Sequence, residues 1–123
     1  ARLTPFNTSI HGIGAFPAWN RNPRVIWVSA SPAEPLREVF SNVENATRGL
    51  NFPQETREFS PHLTLARVSA QTDQLNGLVK KLAQLTPEPI FGEMLVDRIM
   101  LIKSVLLPQG AVYTTLSSHM FTK

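Results

Sequence analysis

Residues 6–13, FNTSIHGI, alternate apolar and polar side chains well enough for a β-strand, and Gly12 and Gly14 mark a bend at its end. The next stretch, 15–24, carries Pro17, Asn20, Asn22 and Pro23 and reads as a loop. Val25–Ala30, VIWVSA, is a β-prone apolar run, which predicts a buried strand with Trp27 in the core. Ser31 to Pro35 opens a helix, with Pro32 and Pro35 in the first turn, where a missing N–H costs least. Leu36, Val39, Phe40, Val43 and Leu50 then recur at a helical period, and Gly49 and Asn51 suit a C-terminal stop. A polar loop over 51–60 leads into a strand at His62–Val68.

Thr72 is the expected N-cap of a second helix, whose apolar stripe is Leu75, Leu78, Val79, Leu82 and Leu85. Lys80 and Lys81 fall near its C-terminus, where the helix dipole favours cations. The TPEP segment, 86–89, breaks it, and strands follow at Ile90–Leu95, Val96–Leu107 and Ala111–Phe121, the last two joined by a turn at PQG, 108–110. The order β-β-α-β-α-β-β-β predicts an α+β domain with largely antiparallel sheet and helices on its outer side. The regular alternation of a doubly wound parallel sheet is absent.

Composition narrows the chemistry. The 123 residues suit one domain. With 42% apolar and 17% charged residues, a disordered tail or coiled coil is excluded. With no cysteine there is no disulfide scaffold, thiol nucleophile or cysteine-ligated metal. Histidines stand only at 11, 62 and 119, without a metal-chelating spacing, so neither a metal nor a cofactor is expected. No apolar run approaches membrane-spanning length and no leader is visible, which points to a cytoplasmic protein without membrane contact. The net charge is +3, and eight of the twelve cations are Arg, whose planar fork matches phosphate.

One segment carries chemistry. In Phe59–Val68, FSPHLTLARV, strand alternation puts His62 and Thr64 on one face, about 7 Å apart at two residues of ~3.3 Å each, and sends Leu63 and Leu65 into the core. An imidazole exchanges protons near neutral pH, and a hydroxyl beside it can bond a phosphate oxygen. Pro61 biases Ser60 towards extended geometry. Gly12-Ile13-Gly14 lacks the third glycine of a dinucleotide fingerprint, and neither Ser60 nor Ser104 has the neighbours of a hydrolase triad. Phe16, Trp19 and Tyr113 are aromatics able to stack on a base.

FSPHLTLARV resembles the C-terminal His-x-Thr motif of the 2H phosphoesterase superfamily, in particular its 2′-5′ RNA ligase / RNA 2′,3′-cyclic phosphodiesterase branch. Three further segments extend the likeness over about residues 6–121: GIGAFP followed by PRVIWV, the approach LNFPQETREFSPHLTLARV, and DRIMLIKSVLLPQGAVYTTL. The resemblance implies a two-lobed fold with antiparallel sheets lining a cleft and helices outside. It also implies two His-x-Thr motifs facing across that cleft, histidines acting as acid and base without a metal, and threonines holding the phosphate. His62 and Thr64 match the second motif. Arg67 matches a basic position five residues on, thought to contact phosphate, although simple alternation turns it to the opposite face, so a strand end or bulge is needed to bring it to the site. Tyr113 is carried as a second substrate-binding candidate.

His11 and His119 are not followed by a Thr two residues on and read as strand histidines. The first motif is therefore expected N-terminal to Ala1. On this reading residues 1–123 are one incomplete domain, the C-terminal two-thirds of the family fold, inactive alone and monomeric when complete. The implied reaction is hydrolysis of an RNA 2′,3′-cyclic phosphate to a 2′-phosphate, with 2′-5′ ligation as a candidate reverse reaction. The alternative is a module of the same fold that binds nucleotide or RNA without turnover.

Overall fold

Eight elements form from these patterns in the computed structural model, which describes residues 3–85 and 88–122. They are β1 (Phe6–Phe16), β2 (Val25–Ser31), α1 (Ala33–Arg48), β3 (His62–Arg67), α2 (Asp73–Ala83), β4 (Ile90–Val96), β5 (Arg98–Leu107) and β6 (Gly110–Met120). The order is the one expected. Thr86 and Pro87 of the TPEP segment lie outside the described residues. No helix among the described residues is long and apolar enough to cross a membrane.

Contacts divide the chain into two compact units, Thr8–Met94, and Ala1–Asn7 with Leu95–Lys123. In the first, the sheet order is β3-β2-β1-β4, with β1–β2 and β2–β3 antiparallel. Its buried residues include Ala15 on β1, Ile26 and Val28 on β2, and Thr8, whose hydroxyl donates to the Ser31 carbonyl at 3.0 Å. In the second unit β5 and β6 form an antiparallel hairpin whose strands end at Leu107 and restart at Gly110, as the PQG turn requires. Phe6 stacks on Phe121 at 6.5 Å in this unit.

Several expectations need correction. The bend at Gly12 does not end β1. Gly12, at φ +70°, sits in a β-bulge between His11 and Gly14, and the strand continues to Phe16. Helix α1 ends at Arg48, so Leu50 lies outside its stripe and is 69% exposed. The left-handed residue after it is Asn51, φ +66°, while Gly49 stays right-handed. Leu63 and Leu65 do not enter the core. Leu63 faces the Val28 side, but β3 is the outermost strand of its sheet and leaves it 48% exposed. Leu65 falls in a bulge and is 58% exposed. The Thr72 cap forms as expected, its Oγ accepting from the Leu75 N–H at 3.1 Å.

Candidate active site on the β1-β2-β3 face

Residues directly opposite in an antiparallel ladder point to the same side of the sheet. On β2 the partners of β3 run Ser29↔His62, Val28↔Leu63, Trp27↔Thr64, then Ile26↔Ala66 and Val25↔Arg67. Leu65 is the residue left without a partner. That one extra residue reverses the alternation after Thr64, so Arg67 returns to the side of His62 and Thr64. Of the two ways expected to bring Arg67 to this side, a strand end or a bulge, the ladder shows a bulge. On β1 the same side carries His11 opposite Ser29, Gly14 opposite Trp27 and Phe16 opposite Val25.

The segment leading into β3 is held from α1. Phe59 stacks flat on Phe40, with centroids 4.6 Å apart and an interplanar angle of 2°. The Glu55 N–H donates to Glu44 at 3.0 Å, and Arg37 lies 3.7 Å from Glu58. These ties set the direction in which Ser60 and Pro61 deliver His62. The His62 Nδ1 is 2.6 Å from the Ser60 carbonyl oxygen. A carbonyl only accepts, so Nδ1 carries the proton and Nε2 is the nitrogen left to exchange one.

A groove of about 1010 Å³ passes this strand, and Phe16, Ser60, His62, Thr64 and Arg67 are among its lining residues. Arg57 and Arg67 are its two arginines. Arg57 is committed: its backbone N–H and guanidinium bond Glu55 and, with its charge, hold that carboxyl below the ordinary glutamate range. Arg67 has no carboxylate partner among the described residues, which leaves its fork free for an anion.

His11 shares the row of Ser29 and His62, but both its ring nitrogens are occupied: Nδ1 by Glu88 at 3.1 Å, Nε2 by the Ser31 hydroxyl at 2.6 Å. It stitches strands together, as a strand histidine should. His119 is exposed on β6, its Nε2 3.1 Å from the Ser117 hydroxyl. Tyr113 is exposed on β6 opposite Ser104, in the hairpin unit. Trp27, expected in the core, is not enclosed there. It is only half-buried and stands on the His62 side, its ring 6.2 Å from the imidazole, with Phe16 edge-on to that imidazole at 5.1 Å. Gly14, opposite Trp27 in the paired strands, leaves room for the indole on this side.

Comparison with known proteins gives this geometry a lineage. The chain is similar to proteins named RNA 2′,3′-cyclic phosphodiesterase from Aeropyrum pernix (38% identity; 94% of this chain, 64% of the relative), Archaeoglobus fulgidus (32%; 91% and 60%) and Aquifex aeolicus (36%; 89% and 57%). It therefore spans about six-tenths of the length of these relatives. A solved structure, TT0787 of Thermus thermophilus, superposes with a TM-score of 0.68 at 31% identity, covering 98% of this chain and 63% of that one. The family model described as the 2′-5′ RNA ligase superfamily matches residues 1–106, and to that superfamily the chain belongs.

Proposed function

We propose that the protein hydrolyses RNA 2′,3′-cyclic phosphate ends to 2′-phosphates, with His62 moving a proton and Thr64 and Arg67 holding the phosphate. The observation that carries this reading is the bulge at Leu65, which returns Arg67 to the sheet face of His62 and Thr64, with no hydrogen-bond partner on the His62 Nε2 among the described residues. The curated relatives, named as cyclic phosphodiesterases, support the substrate class.

In the reaction, a water oxygen bonds to phosphorus and the bond from phosphorus to the 3′ oxygen breaks. One proton leaves the water and one reaches the departing 3′ oxygen. His62 performs one of these transfers through Nε2. The other falls to the histidine of the family's first His-x-Thr, which stands N-terminal to the second motif. The Thr64 hydroxyl donates to a non-bridging oxygen, and the Arg67 fork offsets charge on the phosphate as it becomes five-coordinate. Within its own unit, Tyr113 is an exposed ring of the kind that stacks on a nucleic-acid base.

The test is hydrolysis of an oligoribonucleotide ending in a 2′,3′-cyclic phosphate, with the product read by ³¹P NMR. The expected product is a 2′-phosphate, formed at the same rate with or without EDTA. A 3′-phosphate product, or loss of turnover in EDTA that added metal restores, would overturn the mechanism. Tight binding of the cyclic end without turnover would favour the binding-module alternative.

A further inference from the structure

Trp27 lies directly between Gly14 on β1 and Thr64 on β3. A Cβ built on Gly14 would collide with the six-membered ring of the indole, so the ring rests on the bare Gly14 backbone. Seated there, it reaches Phe16 at 5.2 Å and His62 at 6.2 Å, and Phe16 meets the imidazole edge-on at 84°. The imidazole is also tied through Nδ1 to the Ser60 carbonyl. The Trp27 Nε1 is buried with no hydrogen-bond partner among the described residues. A smaller apolar side chain would cover the same sheet without that penalty, but a single ring over Gly14 would not span both neighbours.

We propose that Trp27, seated on Gly14, is a positioning residue for His62, fixing with Phe16 the imidazole plane so that Nε2 faces the phosphate held by Thr64 and Arg67. The consequence for turnover rests on the cyclic phosphodiesterase reading. The effect on the ring does not.

Gly14→Ala tests this without altering any group that touches substrate. The added methyl lifts the indole and frees the imidazole. In the protein, kcat for a 2′,3′-cyclic phosphate end should fall about 10- to 100-fold, the scale of an ångström-sized misplacement, with KM within about 2-fold. Trp27→Leu should do the same, and Trp27→Phe should recover part of the loss. Adding Gly14→Ala to Trp27→Leu should cost no more than about 2-fold further, since the ring it displaces is gone. By NMR, the nuclear Overhauser contacts from the His62 ring to Phe16 and residue 27, and the single Nδ1–H tautomer in its ¹⁵N shifts, should weaken in Gly14→Ala. Folding of each variant is checked by its thermal midpoint, and Trp27→Phe keeps the test decisive if Gly14→Ala fails to fold. A kcat within about 3-fold of wild type in folded Trp27→Leu, well short of the misplacement scale, or an unchanged His62 tautomer with ring contacts kept in Gly14→Ala, would overturn the proposal. If wild-type protein shows no cyclic phosphodiesterase turnover, the functional reading fails, and the NMR arm still decides the positioning role.

Discussion

The bulge at Leu65 makes a prediction about register that no point substitution tests as directly. Arg67 reaches the His62 face only because one residue between Thr64 and Ala66 has no partner on β2. Inserting one alanine between Ala66 and Arg67 puts the alanine opposite Val25, carries Arg67 one residue (~3.3 Å) further along the strand and turns it to the other face. Its guanidinium then moves on the order of 10 Å, which removes any phosphate contact. A charge-assisted hydrogen bond contributes about 1.5–3 kcal/mol. Arg67 is exposed, so salt and water screen it, and the lower half of that range applies, about 10- to 40-fold in affinity. Deleting Leu65 does the opposite. It removes the extra residue and leaves Ala66 opposite Ile26 and Arg67 opposite Val25, so Arg67 keeps its face. Titration calorimetry with a nucleoside 2′-phosphate should therefore show the insertion matching Arg67→Ala, and the deletion within about 3-fold of wild type by the same reasoning. Equal losses from insertion and deletion, or an insertion that binds like wild type, both at unchanged thermal midpoint, would refute the register argument.

Two further outcomes follow from interactions elsewhere. Phe59→Ala removes the flat stack on Phe40 and should cost about 1–3 kcal/mol, since both rings are only half-buried, with cleavage of the 52–61 loop by a nonspecific protease faster than in wild type. The two hydrogen bonds from Arg98 to Asp97, at 2.7 and 3.1 Å, hold that carboxyl below the ordinary aspartate range. A depressed carboxyl stabilises above its unfolded pKa and loses that contribution as pH falls through the folded one. Arg98→Gln should raise the Asp97 midpoint in an NMR titration and flatten this acid limb, and an unmoved midpoint would remove Arg98 as the cause.

The order of elements was legible because each boundary is chemical: prolines opening α1, Thr72 capping α2, the PQG turn closing the hairpin. His62 and Thr64 were legible as a same-face pair because strand alternation is local. What alternation cannot carry is an irregular residue. Leu65 looked like a core leucine because a regular strand was assumed, whereas the bulge leaves it unpartnered and delivers Arg67 instead. Trp27 looked like core because VIWVSA is apolar throughout, and an apolar run does not say which side of a sheet has the larger neighbours. Gly14 answers that question only once β1 and β2 are paired. Leu50 continued a helical period past the point where α1 ends at Arg48 and the chain turns left-handed at Asn51.

Proton transfer through the His62 Nε2, the nitrogen left when Nδ1 bonds the Ser60 carbonyl, is the step on which the proposed hydrolysis of a cyclic phosphate rests. It is tested by comparing the rate of 2′,3′-cyclic phosphate hydrolysis by wild type and His62→Ala under saturating substrate. A loss of at least about 100-fold, the scale of general acid–base catalysis, with substrate affinity largely kept, is the predicted result. A His62→Ala protein that turns over within about 3-fold of wild type, far inside that scale, would contradict it.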